Sequence, residues 1–295
     1  MIMLSLTKLV VTPLVKKMPS ASRNKLILIS SVRSMSKMPE EQKINVKGVD
    51  INYLKVGSGS HPVLLLPGTL GSIWTDFKPQ VTNMDREKFT LIAWDPPGYG
   101  KSRPPNRTFP LDFFARDAGI AYELMKVIGY DKFSLIGWSG GGITSIFMAA
   151  NNPESIDKMV ILGTNSYLVP EELAIYKSVR NIDSWSERMR APMIDTYGEG
   201  YFRSTWAAWV DGMAAIFEKN DGNICKDLLP KVKCPTLIMH GAKDVMLWKD
   251  HPTYLEKNIK DSKLYIFPEG GHNLHLRFWE EFNRVSTEFL INGKI

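Results

Sequence analysis

Between Phe133 and Gly142 an apolar stretch of strand character, Phe-Ser-Leu-Ile, breaks into Gly137-Trp138-Ser139-Gly140-Gly141-Gly142 and runs on into residues with helical spacing. A strand that turns this sharply into a helix leaves little room. A Cβ at Gly137 or Gly141 collides with neighbouring backbone, so glycine is required there, and the serine between them is lifted above the edge of a sheet. The pattern demands a chain in which a buried strand feeds a helix, and it marks Ser139 as a candidate nucleophile. A glycine-rich strand-to-helix turn of some other kind, such as a phosphate loop, is the competing explanation.

Other apolar runs closed by turn residues repeat along the chain: Val63–Leu66, Phe89–Trp94, Met159–Leu162, Thr236–Met239 and Lys263–Phe267. Continuous apolar runs of this length suit strands covered on both faces. Helical periodicity separates several of them, most clearly over 111–128, where Phe113, Phe114, Ala118, Ala121, Leu124 and Met125 share one face. Alternation of this sort predicts an α/β fold with a mostly parallel central sheet and helices on both sides. Residues 43–56 add two short strands around Lys47-Gly48-Val49, which makes the sheet mixed. Residues 170–229 break the alternation, with helix-like segments rich in Trp, Tyr, Phe and Met and no strand. The expected organisation is a core of residues 40–165 and 231–295 with a helical cap inserted at 166–230.

A nucleophilic serine needs a base, and the base needs a group that holds its tautomer. His272 lies in Pro268-Glu-Gly-Gly-His272-Asn, a glycine-rich loop directly after the last apolar strand. Of the other histidines, His240 sits in or at the end of a strand and reads as a packing residue, and His275 opens the last helix. His61 and His251 fall in ordinary polar contexts. Asp244 closes Met239-His-Gly-Ala-Lys-Asp244, again just past a buried strand, whereas Asp250 is already in the next polar turn. Ser139, Asp244 and His272 follow one another in the order of the α/β-hydrolases. For the oxyanion, Pro67-Gly68-Thr69-Leu70-Gly71 turns after a buried strand, so the N–H of Thr69, or else Leu70, joins that of Gly140 as a donor. The segment Asp95-Pro-Pro-Gly98-Tyr-Gly100-Lys-Ser102 ends like a phosphate loop, but Asp95 stands where that motif needs glycine, so no nucleotide site is supported.

The 37 basic and 31 acidic residues give a net charge of +6, which raises the question of a nucleic-acid partner. Seven of the bases and none of the acids fall in residues 1–39, leaving 30 basic and 31 acidic side chains in the remainder. The basic character therefore belongs to a leader, and no nucleic-acid partner is expected. A basic, acid-free, Ser-containing leader is the composition of a mitochondrial transit peptide. A secretory signal and a cytoplasmic location are the alternatives, but Lys8 and Pro13 interrupt the apolar stretch, and no uncharged run approaches a membrane span. Cys225 and Cys234 are the only cysteines and lack metal-ligand spacing, so no disulfide framework and no metal site are expected.

Taken together these segments resemble the valacyclovir hydrolase, or biphenyl hydrolase-like, family of serine hydrolases. The likeness rests on Leu-Leu-Leu-Pro-Gly-x-Leu-Gly-Ser around Gly68, Trp94-Asp-Pro-x-Gly-Tyr-Gly-x-Ser-Arg-Pro-Pro105, Gly-Trp-Ser-x-Gly-Gly-Ile-Thr144, Asp221-Gly-Asn-Ile-Cys225, and Pro268-Glu-Gly-x-His-Asn-Leu-His-Leu-Arg-Phe278. It implies an α/β-hydrolase fold, a capped, cofactor-free esterase acting on a small-molecule ester, and a triad of Ser139, Asp244 and His272. The expected state is a monomer. It also implies substrate contacts at Ile175, Ser178 and Met246, with Trp138 and Trp74 walling the site. One departure matters: the family carries an aspartate after the nucleophile, paired with the substrate's α-ammonium, and this chain has Gly140. Selectivity for amino esters is therefore expected to weaken unless a cap acid (Glu171, Glu172, Asp195 or Glu199) compensates. A carbon–carbon bond hydrolase using the same triad, and a low-turnover receptor built on a hydrolase fold, are the other readings.

Overall fold

The computed structural model describes residues 39–293. The expected transit peptide, residues 1–39, lies outside the described residues apart from Pro39. The chain forms an eight-stranded sheet in the order β1-β2-β4-β3-β5-β6-β7-β8. β1 (Gln42–Val46) and β2 (Val49–Val56) form the antiparallel hairpin expected around Gly48, and β2 pairs antiparallel with β4 (Phe89–Trp94). From β4 through β3 (His61–Leu66), β5 (Phe133–Trp138), β6 (Ile156–Leu162), β7 (Thr236–Gly241) and β8 (Ser262–Phe267) every pairing is parallel. This is the α/β-hydrolase architecture the alternation predicts.

The central strands carry apolar side chains to both faces because both faces are covered. On one side, helix α1 (Ile73–Asn83) and the last helix of the chain bury Phe77, Phe282 and Phe289 against Leu65, Leu91 and Ile136. On the other, α2 (Phe113–Val127) and α3 (Gly140–Asn151) bury Leu124 and Ile146 against Leu64, Ile92 and Leu135. Fully burying a side chain of this size contributes roughly 1.5–3 kcal/mol.

Two features of this scaffold locate the site. The connection from β3 runs back to β4 on one side and that from β5 runs to β6 on the other, so a crevice opens at the carboxyl ends of the adjacent strands β3 and β5, the topological switch point of the sheet. The insertion after β6 then closes over that edge. Its neck is pinned where Tyr167 bridges Asn223 and where the Leu168 N–H donates to the Gly222 carbonyl at 2.8 Å. Between these points run α4 (Pro170–Ser178), α5 (Glu187–Tyr197) and α6 (Glu199–Lys219), with short 3-10 turns before α5 and after α6. Trp185, Trp206, Trp209 and Tyr176 pack ring to ring with centroids 4.7–4.9 Å apart, which is why the segment is so aromatic. Beyond β7, α7 (His251–Asn258), α8 (Leu274–Arg277) and α9 (Trp279–Asn292) complete the chain. Among the described residues no helix is long and apolar enough to cross a membrane.

Candidate active site

β5 delivers Ser139 to the carboxyl edge with φ at +53°, a left-handed conformation that surrounding structure must hold in a non-glycine residue. Crowding holds it. A Cβ on Gly137 would stand 2.3 Å from Ser145 Oγ, and one on Gly141 2.0 Å from the Leu66 carbonyl oxygen. The Ser139 N–H donates to the Leu162 carbonyl at 2.9 Å, tying the elbow to β6.

Asp244 follows β7 and His272 follows β8, so the parallel register of these strands brings both loops to the same edge. His272 Nδ1 lies 2.8 Å from Asp244 Oδ2, and His272 Nε2 lies 3.1 Å from Ser139 Oγ. A proton on Nδ1, facing the carboxylate, leaves Nε2 to accept from the serine hydroxyl. Burial pushes the Asp244 carboxyl up, but hydrogen bonds from His272 and from the Met246 N–H outweigh it and hold Asp244 below its ordinary range. The Trp138 indole N–H donates to the His272 carbonyl at 2.9 Å and so anchors the histidine loop to the elbow strand.

The turn after β3 holds the candidate oxyanion donors. The Gly68 carbonyl accepts from the Gly71 N–H at 3.0 Å. In a trans peptide the carbonyl and the following N–H point in opposite directions, so this bond turns the Thr69 N–H away from the loop. Thr69 N lies 3.7 Å from where a Cβ on Gly140 would sit, and it finds no backbone acceptor among the described residues. The Gly140 N–H opens α3, where no intrahelical acceptor exists. The Leu70 N–H also finds no backbone acceptor among the described residues, and Thr69 is the loop candidate whose nitrogen stands beside Gly140.

Two cavities flank the Ser139 elbow, and Thr69 lines both. The larger, about 480 Å³, runs under the cap between Ser139, His272, Trp138 and Met246 and the cap side chains Tyr176, Val179, Trp185 and Trp206. Trp138 and Met246 therefore sit where the resemblance puts them, but Ile175 and Ser178 do not. Ser178 is exposed and donates its hydroxyl to the Ile175 carbonyl, and the neighbouring positions Tyr176 and Val179 face the cavity. A helix turns about 100° per residue, so positions one apart on α4 face different ways, and the resemblance to the family does not fix which of them meets the cavity. Trp74 is also elsewhere, donating its indole N–H to Glu41 at 2.8 Å.

Gly140 lines the second cavity, about 20 Å³, together with Thr69, Phe114, Thr144, Arg107 and Asp117. That is room for about one water molecule. None of the cap acids lines the larger cavity: Glu172 is buried against His251, 2.8 Å away, and accepts the Trp248 N–H, while Glu199 pairs with Arg203. The carboxyl that does line it is Asp76, which the sequence reading missed. Asp76 Oδ2 accepts the Gly68 N–H at 2.9 Å and Oδ1 the Thr75 hydroxyl at 2.7 Å. Burial pushes it up to about 7 against the pull of these bonds.

The remaining histidines are structural. His240 and His275 are buried, and burial lowers both, His275 to about 3. His251, which reads as polar in sequence, is fully buried beside Glu172 because α7 packs beneath the cap. The Asp95 turn is a hub, its carboxylate accepting the N–H groups of Ile73 and Lys101 and the amide of Asn52. Among the described residues no group of three or more His, Cys, Asp or Glu side chains is arranged to hold a metal ion.

Residues 61–192 match the alpha/beta hydrolase fold family. The human serine hydrolase BPHL is 51% identical over 84% of this chain and 85% of its own length. The 2-hydroxy-6-oxo-6-(2'-aminophenyl)hexa-2,4-dienoic acid hydrolase of Metapseudomonas resinovorans is 26% identical over 85% of this chain and 90% of its own length. The meta-cleavage product hydrolase CumD of Pseudomonas fluorescens IP01 superposes with a TM-score of 0.72 at 20% identity, covering 86% of this chain and 98% of CumD. The fold, the serine at the elbow with its histidine and aspartate, and the identity to the human protein lead to one conclusion: this chain belongs to the BPHL, or valacyclovir hydrolase-like, family of serine hydrolases.

Proposed function

We propose that this protein hydrolyses small carboxylic esters through an acyl-enzyme on Ser139. The observation that carries the proposal is the hydrogen-bonded run from Ser139 Oγ through His272 to Asp244, opening into an apolar cavity of about 480 Å³. Ser139 attacks the ester carbonyl as His272 Nε2 takes its proton, and Asp244 stabilises the imidazolium. The N–H groups of Thr69 and Gly140 receive the oxyanion. His272 returns the proton to the leaving alcohol, and water repeats the sequence on the acyl-enzyme. The aromatic and methionine lining favours an apolar leaving group. With Gly140 after the nucleophile, no cap acid in the cavity, and both oxygens of Asp76 already accepting from the Gly68 N–H and the Thr75 hydroxyl, the α-amino group of an amino ester gains little.

Reaction with a fluorophosphonate tests this: labelling of Ser139, abolished in His272→Ala, together with turnover of p-nitrophenyl esters, is the expected result. An unreactive Ser139 would refute it and favour a binding-only role. Carbon–carbon bond hydrolysis is the second reading, supported by the likeness to the Metapseudomonas dienoic acid hydrolase; cleavage of a vinylogous diketone faster than simple esters would select it. We also propose that residues 1–39 direct the chain to mitochondria, on the strength of seven bases and no acid. Fusion of this segment to a fluorescent protein tests that, and cytoplasmic fluorescence would refute it. The proposed monomer is checked by light scattering.

A further inference from the structure

We propose that Tyr197, the last residue of cap helix α5, is a positioning residue for the oxyanion hole, so that seating of the cap completes the hydrolytic site. The inference rests on the reading of Ser139 as the nucleophile and of Thr69 as an oxyanion donor.

The Tyr197 hydroxyl donates to the Leu70 carbonyl at 2.8 Å and accepts the Gly100 N–H at 3.0 Å. The Leu70 carbonyl shares its peptide plane with the Gly71 N–H, which donates to the Gly68 carbonyl at 3.0 Å. The Gly68 carbonyl in turn shares a plane with the Thr69 N–H. One cap hydroxyl thus fixes the first of two peptide planes, and that plane fixes the second, which carries the donor. Hydrogen bonds in such a chain polarise one another, so the cap bond also strengthens the donor at its far end. Leu70 sits at φ +53°, a conformation with a cost for a branched side chain, and something must hold it there. Tyr197 is 5% exposed, so no solvent replaces its hydroxyl. Arg103 locks the tyrosine in place, with its guanidinium 5.0 Å from the ring and a bond of 3.1 Å to the Thr196 carbonyl.

A matched control stands one turn away. Tyr201 stacks on Tyr197 with centroids 5.9 Å apart, and its hydroxyl also bridges cap and core, donating to the Gly98 carbonyl at 2.7 Å and accepting the Arg107 N–H at 2.9 Å. It makes no bond to the Pro67–Gly71 turn. Tyr201→Phe therefore removes a comparable cap anchor while leaving the oxyanion loop alone.

The experiment compares the wild type, Tyr197→Phe and Tyr201→Phe. The readouts are kcat and KM on p-nitrophenyl acetate and the inhibition constant of a trifluoromethyl ketone, whose hemiketal oxygen mimics the oxyanion. Tyr197→Phe is expected to lower kcat about tenfold, a fraction of the 10²–10³-fold cost of losing a donor outright. KM stays within about twofold, and ketone affinity falls by the same factor as kcat. Tyr201→Phe is expected to lower thermal stability without moving either quantity. Unchanged kcat and ketone affinity in Tyr197→Phe, or an equal loss in Tyr201→Phe, overturns the proposal. Should Tyr197→Phe not fold, hydrogen exchange on the wild type decides: a small phosphonyl adduct on Ser139 slows exchange in the peptide ending at Tyr197, and no slowing overturns the coupling. A wild-type Ser139 that resists fluorophosphonate refutes the hydrolase reading itself, whereas an unaffected Tyr197→Phe refutes only the relay.

Discussion

Gly140→Asp is expected to create a preference for α-amino esters over matched esters, and the natural protein is expected to show little of it. A Cβ at this position meets Phe114 Cε1 and Thr69 Oγ1 at 3.4 Å, which is ordinary contact, so the side chain enters without moving the backbone. Its carboxylate takes the place of about one water in the 20 Å³ cavity behind the oxyanion loop, at the first position of α3, where a negative charge is favoured. Arg107 lines the same cavity; its two terminal nitrogens are engaged by Asp117 at 2.6 and 2.5 Å, while its buried Nε has no partner among the described residues and competes with a substrate ammonium for the new carboxylate. Truncating one partner of a desolvated charge pair costs roughly 2–5 kcal/mol. That competition puts the gain at the low end, about 2 kcal/mol or thirtyfold. The assay is kcat/KM for an amino acid ester against the matched ester lacking the amine, in wild type, Gly140→Ala and Gly140→Asp. The expected ratios are near unity for the first two and about thirtyfold for the third. A wild-type ratio of about a hundredfold, or roughly 2.7 kcal/mol, or no gain in Gly140→Asp, would refute the reasoning.

Other perturbations separate the parts of the site. Asp244→Asn leaves His272 without a carboxylate to hold its tautomer, and kcat is expected to fall about 10⁴-fold with the fold intact, as read by ester turnover and circular dichroism. Asp76 has a folded value of about 7 against an ordinary 3.8, so the folded state binds its proton more tightly and stability is lost as pH rises from about 4 to about 7. Thermal melts across that window are expected to show a shallower decline in Asp76→Asn than in the wild type; parallel curves would contradict it. Gly137→Ala places a methyl 2.3 Å from Ser145 Oγ and 2.5 Å from the Gly141 carbonyl. Urea titration is expected to show a loss of several kcal/mol, above the 1–3 kcal/mol typical of overpacking.

Much of this protein is written in local patterns. The strand runs are legible because a strand buried on both faces must be apolar throughout, and Phe89–Trp94 appears with the same limits in sequence and structure. Ser139, Asp244 and His272 are legible because loops after parallel strands emerge at one edge, so position in the chain already implies proximity. Cap contacts carry no such signal. Tyr176 and Val179, not Ile175 and Ser178, face the cavity, and the choice depends on how α4 is rolled against α6. His251 looks polar until α7 is seen beneath the cap beside Glu172. Nothing around Asp76 in Trp74-Thr-Asp-Phe77 announces a buried carboxyl that takes the Gly68 N–H.

The amino-acid order alone determined the alternating scaffold, the elbow and the meeting of Ser139, His272 and Asp244 at one sheet edge, because each follows from short-range sterics and from strand direction. Tertiary structure decided what surrounds them: which cap side chains line the cavity, that Gly140 opens onto a separate small space, and that Tyr197 reaches the Leu70 carbonyl across 127 residues. Those are contacts between segments distant in the chain, set by how helices pack and rotate, and no local pattern of residues encodes that rotation.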